Sequence, residues 1–111
     1  MNFTKYHFHL YFSNEQIELA TDVAKEIARD FDFSIGRVWE KPVGPHPVNS
    51  CQISVPANQF YEFTTWLLSN RKGLDVFIHP EGDNDYRDHT EYVMWIGKSY
   101  DLKSEIFKPK T

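Results

Sequence analysis

Tyr6-His7-Phe8-His9-Leu10-Tyr11-Phe12 is the stretch that decides the fold. Read as a strand, it sends successive side chains to opposite faces. Tyr6, Phe8, Leu10 and Phe12 share one face, large and mostly apolar, which is what a strand shows to covering helices. His7, His9 and Tyr11 share the other. A plain core seldom needs two imidazoles and a phenol. The apolar face is expected to build the fold, and the histidine face a metal site.

Downstream, Ser13-Asn14-Glu15-Gln16 has the form of a capping box. Ile17, Ala20, Ala24, Ile27, Ala28 and Phe31 recur at spacings of three and four, which predicts an amphipathic helix to about Asp30. Asp32 to Trp39 alternates as a strand, with Ile35, Arg37 and Trp39 on one side and Ser34, Gly36 and Val38 on the other. Pro42, Gly44, Pro45 and Pro47 make Glu40 to Val48 a stiff loop. Asn49 to Val55 is the next strand, with Cys51, Ile53 and Val55 inward. Pro56 suits the entry to a second helix, Phe60, Phe63 and Leu67 form its buried stripe, and Gly73 sits at its C-terminal cap. Leu74 to His79 is a further strand, ended by Pro80. The order β-α-β-β-α-β is the ferredoxin-like pattern. The expected class is α+β, an antiparallel sheet with both helices on one face. A polar loop over residues 81–90 precedes an additional C-terminal strand, Tyr92 to Ile96. The last dozen residues are expected to be a loosely held tail. Two helices cannot cover both faces, so the histidine face is left for a ligand, a loop or a second subunit.

A chain of 111 residues is expected to form one domain over residues 1–111 and to bury a core without staples. Sixteen acidic against twelve basic residues give a charge of -4 with no basic run, which argues against nucleic acid and anionic membrane surfaces as partners. No apolar run approaches the ~20 residues of a membrane span. The single cysteine, Cys51, excludes an internal disulfide. With no signal peptide, a cytoplasmic setting is expected. Aromatic residues are 16% of the chain, enough to fill a core and also line a pocket for a flat ligand.

The five histidines are His7, His9, His46, His79 and His89. Neutral imidazole is the commonest ligand for divalent transition metals. His9 is on the open face. His46 stands between two prolines that restrict its backbone. His79 is fixed by Pro80 and can share the open face with His9. His89 lies in Asp88-His89-Thr90, beside a carboxylate. The plain alternative for any one of them is a structural or surface histidine, and no compact metal motif is present. His7 reads as solvated or hydrogen-bonded. Cys51, in an apolar strand, reads as inert core.

Phe8-His9-Leu10-Tyr11-Phe12, Gly36-Arg37, Pro42-Val43-Gly44-Pro45-His46-Pro47, Trp66-Leu67, Arg71, Ile78-His79-Pro80 and Asp88-His89-Thr90 together resemble the DOPA 4,5-dioxygenase family. The resemblance runs in order from about Tyr6 to Leu102. It implies a ferredoxin-like α+β fold and a non-haem Fe(II) extradiol dioxygenase that opens a catechol with O2. A catechol dioxygenase needs ligands that leave open positions on iron and an acid/base for the substrate protons. On that basis His9, His46 and His79 are the expected metal ligands, with Asp88 or Glu91 as reserve carboxylates. His89 is the expected proton-transfer residue, the alternative being a third ligand. Arg37, Trp39 and Tyr11 are expected to hold substrate, Arg37 by pairing with a carboxylate in fork geometry.

The loop after the second strand lies at the opposite end of a ferredoxin-like sheet from the end of the fourth. His46 can meet His79 only if the proline loop folds across the open face, or if a second subunit donates it. Otherwise the set is His9, His79 and His89, and His46 contacts substrate. A homodimer using the open face or its rim is expected. The competing function is a metal-free dimeric ferredoxin-like module that binds a small aromatic ligand or a protein partner.

Overall fold

The computed structural model describes residues 2–108. Strands β1 (Lys5–Phe12), β2 (Ser34–Ile35), β3 (Asn49–Pro56), β4 (Asp75–Pro80) and β5 (Met94–Ile96) form one antiparallel sheet in the order β2-β3-β1-β4-β5. Helices α1 (Ile17–Asp30) and α2 (Phe60–Asn70) follow β1 and β3, and a short α3 (Asp85–Asp88) follows β4. This is the expected α+β arrangement, with the fifth strand added beside β4.

The alternation in β1 separates the faces as its sequence implies. Phe8, Leu10 and Phe12 pack with Cys51, Ile53 and Val55 of β3 and Val76 and Ile78 of β4. Ala20, Val23, Ala24 and Ile27 of α1 and Phe63 and Leu67 of α2 close this core from one side. Gln16 accepts from the Ser13 backbone N–H at 3.0 Å and fixes the approach to α1. Past α2, Lys72 (φ +53) and Gly73 (φ +81) both take left-handed conformations that turn the chain out of the helix, the glycine without a Cβ penalty.

Three elements differ from expectation. β2 is two residues long, not eight. It pairs Ser34 with Ser54 and Ile35 with Ile53, yet Trp39 then bridges to Ser50, where an unbroken register would put Val38. One extra residue has entered the strand as a bulge, and a one-residue slip reverses faces. Ile35 and Val38 pack toward the core, and Trp39 does not share their face. Next, residues 81–90 are not all loop. Asn84 accepts from the Arg87 backbone N–H at 3.0 Å and caps α3. Finally, the tail is held. Tyr100 donates to Asp75 at 2.7 Å, the Lys103 N–H donates to the Pro45 carbonyl at 2.8 Å, and Ser104–Phe107 forms a 3-10 turn. The final three residues of that tail lie outside the described residues.

Candidate metal centre

Strand pairing places the histidines. His7 stands directly opposite His79 across β1 and β4, and His9 opposite Phe77. Directly paired residues share a face, so His7, His9 and His79 all project from the side away from the helices. His9 and His79 are buried and His7 is half-buried. The ligating nitrogens of these three lie within 4.8 Å of one another, and the Nε2 atoms of His9 and His79 are 3.0 Å apart.

His46 reaches this group by the first of the two routes open to it. Gly44, at φ +54, starts a turn that the His46 N–H closes on the Val43 carbonyl at 3.0 Å. The proline loop then lies across the open face and sets the His46 ring 4.2 Å from that of His9. Its Nδ1 is 2.6 Å from the Tyr11 hydroxyl. His89, immediately after α3, stacks on His79 with ring centres 4.0 Å apart. All five histidines line one cavity of about 250 Å³, together with Gln52, Asp88 and Phe107.

The hydrogen bonds assign tautomers. A carbonyl only accepts, so the Nδ1–H of His79 donates to the Pro80 oxygen at 2.7 Å and leaves a lone pair on Nε2. In the same way His89 donates Nδ1–H to the Asp85 carbonyl at 2.7 Å and keeps Nε2 free. This anchoring of one nitrogen with the other left open is the arrangement seen in metal-ligating histidines. Burial favours the neutral ring at His79, His46 and His9. It lowers His79 to about 3, with His89 adding to the effect, and His46 to about 4. His9 lies well below the ordinary range, from burial first and then from His46 and His79. His7 is lowered by burial, which Glu81 partly opposes. Burial also raises the Tyr11 phenol, so it stays an O–H. Converging neutral imidazoles in a closed site fit a divalent transition metal.

The remaining expected residues are distributed unevenly. Asp88 lines the cavity, is 3% exposed, and accepts from the Gly82 N–H at 2.8 Å. Its carboxyl is raised by burial. Glu91 is turned away into a surface pair with Arg87. Tyr11 is fully buried behind His46. Arg37 and Trp39 do not line the histidine cavity. Trp39 shares a row with Ser50 and Tyr11, two strands away, roughly 10 Å at ordinary strand spacing. The Arg37 guanidinium lies 4.7 Å over its ring, and both line a separate shallow pocket with Lys41. Sequence reasoning undervalued His7, although the two-residue spacing to His9 already put them on one face. It missed Phe107, for which the tail gives no local signal.

A profile of the Dopa 4,5-dioxygenase family matches residues 6–106. A DOPA 4,5-dioxygenase of Amanita muscaria is 34% identical over 108 residues, which are 88% of this chain and 47% of that protein. An uncharacterized 21.2 kDa protein of Botryotinia fuckeliana is 33% identical over 110 residues, 91% of this chain and 60% of that one. The chain thus spans roughly half the length of these relatives. A crystal structure from Nostoc punctiforme, of a protein provisionally named a dioxygenase, superposes with a TM-score of 0.89 at 35% identity, covering 93% of this chain and 90% of that one. The shared fold and the matched length agree: the chain belongs to the Dopa 4,5-dioxygenase family.

Proposed function

We propose that this protein is a non-haem Fe(II) dioxygenase that opens the ring of a catechol, such as DOPA or a related dihydroxyphenyl compound, with O2 in the extradiol manner. The observation that carries this proposal is the convergence of His7, His9 and His79 within 4.8 Å in a buried cavity, in a chain of this family. Those three would hold the metal. When bound, Fe(II) supplies a redox-active Lewis acid with positions open to a catechol and O2. His46, held by Tyr11, stands over His9 and contacts the substrate side of the cavity. His89, with Nδ1–H tethered and Nε2 free, takes and returns the catechol proton. Asp88 keeps the 82–88 turn closed on the cavity through Gly82. Arg37, stacked on Trp39 in its own pocket outside the histidine cavity, is assigned to an acidic substituent of a substrate that extends from the histidines across the sheet to that pocket.

A cytoplasmic homodimer belongs to the same proposal. Among the described residues no helix is long and apolar enough to cross a membrane. The chain's own tail and proline loop occupy the open face, so the second copy is assigned to the outer side of α2, where Tyr61 and Leu68 are exposed. Light scattering on the wild type and on Leu68→Glu checks that assignment.

The test of activity is oxygen uptake by anaerobically Fe(II)-loaded protein with a panel of catechols. The expected product is one ring-opened molecule that carries both atoms of ¹⁸O2, with activity lost to a chelator and restored by Fe(II). Protein that retains no metal and consumes no oxygen with any catechol would return the molecule to the metal-free binding module.

A further inference from the structure

We propose that Phe107 is a positioning residue for His89. The residues that bring it there are all in the segment after β5. Asp75 takes the Lys98 N–H at 2.8 Å and the Tyr100 hydroxyl at 2.7 Å, which pins the start of the segment to β4. The Tyr100 ring packs edge-on against Tyr11, centres 5.2 Å apart. Lys103 bonds to Pro45, in the loop that carries His46. The 3-10 turn Ser104–Phe107 then lays the Phe107 ring on His89, centres 4.3 Å apart and 25° from parallel.

His89 is therefore held between Phe107 and His79. The bond from Nδ1–H to the Asp85 carbonyl holds one edge of the ring, and the freedom left to it is a swing of the Nε2 edge as that single bond bends, with χ1 and the soft χ2 shifting together. A ring stacked on its face removes that freedom. Phe107 is half-buried and rests on an imidazole at the cavity rather than in the core, so fold stability gains little from it. The consequence for rate rests on the ring-opening proposal: a proton-transfer group out of place costs on the order of 10²-fold.

The experiment compares wild type, Phe107→Ala and Phe107→Tyr. Iron content, kcat and KM for the catechol are measured on Fe(II)-loaded protein. The ring signals of His89 are followed by NMR on metal-free, ¹³C-histidine-labelled protein, assigned with His89→Gln. In Phe107→Ala the His89 signals are expected to broaden as the ring exchanges between orientations, beyond the loss of ring-current displacement that removing any adjacent aromatic ring brings. Its kcat should fall on the order of 10²-fold with KM and iron content little changed. Phe107→Tyr should restore both. His89 signals that stay sharp and single in Phe107→Ala overturn the proposal, as does full turnover despite broadened signals. Loss of iron overturns it too, because Phe107 would then act on the metal set. If the wild type opens no catechol, the dioxygenase proposal fails separately, and exchange broadening of the His89 signals in Phe107→Ala, set against sharp signals in wild type and Phe107→Tyr, decides whether Phe107 sets that ring.

Discussion

His79 shows at one residue how burial becomes both stability and chemistry. Folded, it is held at about 3 by burial and by His89, whereas an unfolded histidine titrates near 6.5. Below that value the unfolded chain binds a proton that the folded chain refuses. The contribution of His79 is thus fully present above pH 6.5 and is lost as pH falls toward 3, by about 1.4 kcal/mol per unit. His46, at about 4, acts in the same sense. Metal-free protein should show a thermal midpoint that drops steadily from pH 7 to pH 4, and His79→Gln should flatten that slope; an unchanged slope would refute the assignment. At the metal, His7→Ala should weaken binding by more than the roughly 100-fold that an outer partner is worth, and His46→Gln by no more than that. Calorimetry with Zn(II) on both variants ranks them. His9 and His79 were legible from alternation and from Pro80. His7 was legible on the same face as His9; its place directly opposite His79 was not, because that depends on a strand pairing which a single sequence does not display.

At the scale of elements, the cavity is assembled by pieces with weak sequence signals. β1, α1, β3, α2 and β4 announce themselves through periodicity. The bulge after β2 does not, because one inserted residue leaves the alternation intact on either side and only reverses faces between Ile35 and Trp39. α3 had a readable cap in Asn84 but is a single turn, below the length at which periodicity can speak. The segment 97–107 has no periodicity at all; its order comes from partners distant in sequence, Asp75, Pro45 and His89. Tyr100→Phe tests that dependence. It removes a hydrogen bond to a carboxylate, worth about 1.5–3 kcal/mol, and leaves the ring packing against Tyr11 in place. The expected outcome is faster protease cleavage within residues 97–108, with helix and sheet content unchanged. Cleavage no faster than in wild type would place the hold on the segment elsewhere.

Over the whole molecule, acid weakens the fold far more than it weakens the candidate metal site, and the difference can be measured. The sheet forces several imidazoles together, most of them buried, in one cavity. His9, His46 and His79 stay neutral there, from burial first and then from neighbouring histidines. A metal competes with protons for the same nitrogens. Three imidazoles of ordinary pKa would each be largely protonated at pH 5.5, and affinity would fall on the order of 10³-fold from its value at pH 7.5. Here His9 and His79 are already deprotonated in the folded chain at pH 5.5, and His7 is lowered as well. Affinity for Zn(II) or Fe(II) should accordingly fall by no more than about tenfold over that range, the bound that one imidazole of ordinary pKa would set. Stability behaves differently. Metal that binds only the folded chain adds about 2.7 kcal/mol at one hundred times its dissociation constant. For a chain of this size that is a rise in midpoint of roughly 10–20 °C. Because the metal-free fold weakens in acid while the site does not, that rise should persist at pH 5.5 on a lower baseline. Paired thermal scans with and without Zn(II) at pH 7.5 and 5.5 read both quantities at once. A metal-dependent rise that vanishes at pH 5.5 while the protein remains folded would mean the ligands titrate as surface histidines, and the buried cluster would not be the site.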